Sequence, residues 1–277
     1  MTLYMHTTLA PKQSMPSRIA QSLLGLGLSL SCAMVWAQAD GRAAADKPSA
    51  GGFIGLGVGS APAYQGSDQR RTAGRPVGEY RWANGFYLGG RDGLAGFQMN
   101  ATPQLRLGLA LGMDGGRKES DASALAGMGD LEAKATLHAS AKFALSEALA
   151  LSSSLQMGAG SAGKGGLLNV GVGYTLPVGE RTRLSLNMGA TLANADYMQD
   201  YFGVSAAQAL ASGYSVYTPS SGLRDISAGL SLMHPINRDW MLIGSLTSTT
   251  LADSAKRSPL TRSESSQSAF VAVAYNF

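Results

Sequence analysis

Three histidines, His6, His138 and His234, are the side chains of this chain best suited to moving protons at neutral pH. A hydrolase would need one of them to orient a nucleophilic serine. His6 lies in the N-terminal segment, His138 alternates with Glu132, Lys134 and Lys142, and His234 stands just before Pro235. No G-x-S-x-G element accompanies any of them. Two isolated histidines also fall short of the three or four ligands a zinc ion takes. The glycine runs "GVGSAP" and "GAGSAGKGG" lack the Gly-Lys-Ser/Thr ending of a phosphate-binding loop, and the glycines around Lys164 read as a flexible hairpin. The expectation is therefore no catalytic centre, no metal site and no cofactor.

Lysine and arginine number 22 against 18 acidic residues, a net +4 in a chain with only 14% charged residues. That sparse charge gives no basic face for nucleic acid. Lys12 and Arg18 precede an apolar run from Ile19 to Leu30, and Ala37-Gln38-Ala39 follows. A cationic start, a short apolar stretch and small residues at this spacing make a secretory signal over 1–39, cut after Ala37 or Ala39. Cys32, the sole cysteine, lies inside that signal. Cleavage then leaves no thiol for disulfides or nucleophilic chemistry. Residues 40–50 read as a polar linker before a domain at 51–277.

The elements that must position any side chain here are strands. In "RLSLNMGATLA", Leu184, Leu186, Met188, Ala190 and Leu192 share one face, and Arg183, Ser185, Asn187, Gly189 and Thr191 share the other. "DLEAKATLHASAKFAL" sets Leu131 to Phe143 on one face and Asp130, Glu132, Lys134, Thr136, His138, Ser140 and Lys142 on the opposite one. "QLRLGLALGM" repeats the pattern with Arg106 on its polar side. Such period-two alternation fits a soluble sandwich or a transmembrane barrel. Charge-free apolar faces, small polar opposite faces and strands of about 9–13 residues, the length that crosses a bilayer at a tilt, favour the barrel.

Twelve strands are expected, near 52–60, 76–83, 85–91, 94–101, 104–113, 130–144, 148–158, 166–178, 181–193, 223–235, 239–251 and 267–277, with ten as the alternative. Their connections alternate between tight and long, apart from a turn at Asp92-Gly93. An all-β, antiparallel transmembrane barrel of the outer membrane has long outside loops, short periplasmic turns and both termini inside. Arg106, Glu132, Lys134, His138, Lys142 and Arg183 would face its lumen. Phe53, Tyr80, Trp82, Phe86, Tyr174, Trp240, Tyr275 and Phe277 sit near strand ends, as interfacial girdles or as core aromatics.

Period two fails at 194–222, "NADYMQDYFGVSAAQALASGYSVYTPSSG". Ser205 and Gln208 have capping-box spacing, and Gly213 can end a short helix. A helical turn in an outside loop is expected, packed on the barrel mouth or plugging it through Tyr197, Tyr201 and Phe202.

This block resembles the MipA/OmpV family of Gram-negative outer-membrane proteins, which includes MltA-interacting protein. The matching residues are Asp196, Tyr197, Tyr201, Phe202, Gly203, Val204, Ser205, Ala209, Ser212, Gly213 and Tyr217. Further likeness comes from "AYQGS" (Tyr64, Gly66, Ser67) with Pro76, from "LADSAKRSPL" (Asp253, Ser258, Pro259), and from the aromatic terminus. The resemblance implies a non-enzymatic scaffold bridging a lytic transglycosylase to a bifunctional penicillin-binding synthase in peptidoglycan assembly. It also implies that Tyr275 and Phe277 are read by barrel-assembly machinery before the strand meets outer-membrane lipid. A small-solute channel is the alternative, and a lipid hydrolase the third.

Overall fold

The computed structural model describes residues 50–277 apart from Arg91. The expected signal at 1–39, with Cys32, and the linker up to residue 49 lie outside the described residues. Twelve antiparallel strands close into one barrel: β1 (Gly51–Pro62), β2 (Arg70–Arg81), β3 (Phe86–Gly89), β4 (Ala95–Asn100), β5 (Leu105–Asp114), β6 (Lys134–Ala144), β7 (Leu149–Ala159), β8 (Gly165–Val178), β9 (Thr182–Ala193), β10 (Gly222–Pro235), β11 (Trp240–Leu251) and β12 (Ser265–Asn276). Each strand pairs with its sequence neighbours, and β1 closes on β12 from Phe53 opposite Asn276 to Ser60 opposite Ala269. Closure leaves no sheet edge, which lipid would not tolerate.

Alternation decides the two faces. Ile54, Leu56, Leu109, Leu111, Leu137, Met188, Leu246 and Val271 all stand exposed on the outside. A fully buried side chain of this kind contributes roughly 1.5–3 kcal/mol, so a continuous exposed band of them specifies lipid rather than water. Inward positions are small or polar, among them Ala110, Thr136, Ser185, Asn187, Ser231 and Ser245.

The barrel has two unlike ends. At one, tight turns connect the strands and both described termini meet. At the other lie the long loops. Three short α-helices occur there among the described residues: α1 (Ala195–Phe202), α2 (Ala206–Ser212) and α3 (Asp253–Lys256). Among the described residues no helix is long and apolar enough to cross a membrane.

Three expectations are corrected. β2 begins at Arg70, six residues before the expected 76, because its outer half carries "RRTAGR", with no apolar face to mark it. β6 begins at Lys134, not 130. Leu131 instead bridges Arg117 and is buried among the loops, and Glu132 lies exposed before the strand rather than on its lumenal face. Phe53 points inward, packed with Ile243, Ala272 and Ala274. The helix expected from Ser205, Gln208 and Gly213 is present in its loop, and a second helix, α1, precedes it. The other seven girdle aromatics line the turn end. Tyr80 meets Trp82 edge-on at 4.8 Å and stacks on Phe277, and Trp240 meets Tyr275 at 5.4 Å.

Candidate functional site at the loop end

α1 starts where the Asn194 side chain accepts hydrogen bonds from Tyr197 N at 2.9 Å and Gly166 N at 3.0 Å. Asp196, exposed in the first turn, complements the positive end of the helix dipole. The i, i+4 spacing of Tyr197 and Tyr201 puts them on one face, with ring centroids 4.4 Å apart, and Met198 and Phe202 extend that face. All four side chains are buried with Leu131, Leu167, Ala193, Leu251 and Ala255.

This helix bonds to residues on several sides of the barrel mouth. Gln65, after β1, donates to the Tyr197 hydroxyl at 3.0 Å. Arg224, on β10, donates to the same hydroxyl at 3.1 Å. The Tyr201 hydroxyl donates to both oxygens of Asp114, at the end of β5, at 2.7 and 2.6 Å. Asp200 accepts from Ser161, after β7. An eight-residue helix is only about 12 Å long. It reaches β5, β10 and the loops after β1 and β7 together only by lying across the mouth.

α2 follows through Gly203, which is buried with Val204 beside Tyr217. Ser205 and Gln208 form the reciprocal capping box, and Gly213 ends the helix at φ 77°. The three stretches that carried the family likeness meet here. Tyr64 donates to Leu260 O at 2.8 Å, Ser258 to Phe202 O at 2.6 Å, and Tyr217 to Ser254 O at 2.7 Å.

Four charged residues that the alternation did not single out anchor the plug. Register shifts between Leu223 and Asp225, and this bulge turns both Arg224 and Asp225 inward, where they form a buried ion pair. Asp114 accepts from Gly160 N and Gly116 N besides Tyr201. Arg117, 4% exposed, donates to Tyr201 O at 2.9 Å, at the carbonyl end of α1. Burial lowers the Arg117 pKa from its usual value, pushes the Tyr64 hydroxyl up to about 12 and raises that of Tyr201. The sequence signals were thin: an Asp ending an apolar strand, and an Arg-Asp pair interrupting the alternation of β10.

The expected lumenal residues lie on the wall below. Arg106 donates to Asn100 at 3.2 Å and stands opposite Lys142. Lys134 reaches Ser161 O, and Arg183 lies opposite Pro177. His138 Nε2 is 2.9 Å from the Thr136 hydroxyl. No salt bridge to His138 appears among the described residues, and His234 bonds Thr182 instead. Among the described residues no group of three or more His, Cys, Asp or Glu could hold a metal. At the chain end Tyr275 faces outward, and Phe277 exchanges backbone hydrogen bonds with Gly52 at 2.9 and 3.0 Å.

No curated protein matches this chain. Among solved structures, the NanC porin is similar at TM-score 0.44 and 8% identity, over 80% of this chain and 98% of that one. The KdgM porin is similar at TM-score 0.42 and 11% identity, over 81% and 99%. The translocator domain of autotransporter NalP from Neisseria meningitidis is similar at 0.43 and 12%, over 84% and 91%. A family model described as MltA-interacting protein MipA matches residues 54–277, from within the first strand to the last residue. The chain belongs to the MltA-interacting protein MipA family.

Proposed function

We propose that this protein works by contact: a non-enzymatic outer-membrane barrel of a Gram-negative envelope, acting as a scaffold in peptidoglycan synthesis and remodelling. Its partners on this reading are a lytic transglycosylase and a bifunctional penicillin-binding protein. The closed sheet with its apolar outside suits outer-membrane lipid. The tight turns and termini then face the periplasm and the long loops face outward. The observation that carries the reading is the crossing of the outer mouth by α1, which favours contact over permeation. The family's name, an interaction with MltA, supports it. Purified full-length barrel should enrich a lytic transglycosylase from its native envelope, and a pull-down without that enrichment contradicts the scaffold.

A second reading, a small-solute channel, draws on the wall beneath the plug. There Arg106, Lys142 and Arg183 stand among residues as small as Gly108, Ser140 and Ser152. Unitary current steps from the intact barrel in a planar bilayer would favour it.

A further inference from the structure

Arg117 is a charge with an incomplete set of partners. Its side chain lies inside the plug, 4% exposed. Nη1 is used on Tyr201 O at 2.9 Å. Nε and Nη2 are sealed from solvent and have no hydrogen-bond partner among the described residues. No carboxylate of the described residues lies within ion-pairing distance of Arg117. Asp121 is committed to Arg71 at 2.9 Å, and Asp114 to the Tyr201 hydroxyl and two backbone N–H groups. The negative end of α1 supplies only about half a charge. The surrounding rings of Tyr64 and Tyr201 supply none at neutral pH, because burial holds both hydroxyls protonated. An uncompensated guanidinium in such a place is strongly destabilising.

We infer that the Nε and Nη2 edge of Arg117 holds a small inorganic anion of the halide class, as a structural part of the plug. The ligand must be anionic because a water would fill the hydrogen bonds and leave the charge. It must be monatomic because the edge is sealed: a carboxylate or phosphate borne by a larger molecule has no way to reach it. Nε and Nη2 present parallel N–H donors, a fork that a single anion bridges. The anion would complete the join that Arg117 makes between the loop after β5 and the carbonyl end of α1.

The test is crystallography of the wild-type barrel grown with bromide as the only halide, read by anomalous scattering. An anomalous peak within hydrogen-bond distance of both Nε and Nη2 is expected. A water without anomalous signal there, bromide confined to surface sites, or a protein group filling the edge overturns the proposal. A second measurement follows thermal unfolding in detergent with bromide or gluconate at equal ionic strength. The wild type should melt higher in bromide, and Arg117→Gln should lose that difference. Equal melting of the wild type in both salts counts against a bound halide, whether or not the variant folds.

Discussion

At the scale of single residues, the plug depends on a few polar contacts between segments far apart in the chain. The Tyr201 hydroxyl serves both oxygens of Asp114 from 87 positions away. Hydrogen bonds to charged groups contribute about 1.5–3 kcal/mol each, and Asp114 keeps two backbone donors. Tyr201→Phe should therefore lower unfolding stability by roughly 2 kcal/mol, measured by urea titration of the detergent-solubilised barrel. Tyr64 makes a pH prediction. Its folded pKa, about 12, lies above the ordinary value of 10, so the folded state keeps its proton after the unfolded chain has lost it. That contribution is complete below pH about 10 and disappears as pH rises to about 12. Thermal melting across that window should fall, and Tyr64→Phe should flatten the fall in part. The tyrosines were legible from the family likeness. Asp114, Arg117 and Arg224 were not, because their role comes from contacts across the barrel mouth, which strand periodicity does not encode.

At the scale of elements, closure rests on β1 meeting β12. A Cβ added to Gly55 would lie 2.2 Å from Val273 O and 2.7 Å from Ala274 Cα, both backbone atoms that cannot swing aside. Gly55→Ala should reduce the fraction of barrel that migrates as the folded, heat-modifiable band. Phe277 ties the last residue to Gly52 and stacks on Tyr80. Deleting it should lower the assembled fraction recovered from the outer membrane, and unchanged assembly would refute the role. Strands with a clean apolar face, such as β5 and β9, were legible almost to the residue. β2 was legible only in its inner half, because Arg70 to Arg75 offers no hydrophobic alternation. α2 was announced by its capping box and terminal glycine. α1 carries its own helical spacing, Tyr197, Met198, Tyr201 and Phe202 behind the Asn194 cap, but at eight residues it is too short to stand out from the loop around it.

At the scale of the whole molecule, the barrel is a membrane-matched cylinder whose loop end is crossed by α1 and packed by three loop segments. The closed sheet and its alternating faces could be read in advance, while the transverse position of the plug depends on three-dimensional convergence. Central to the proposed function is that this plug closes the outer mouth and that the protein works by contact. Single-channel recording in planar bilayers tests that most directly, comparing the intact barrel with one in which residues 195–217 are replaced by a short Gly-Ser linker. Folding of the variant is checked by heat-modifiable mobility. The account predicts no unitary steps from the intact protein and clear steps from the folded variant. Steps of equal size from both would contradict it.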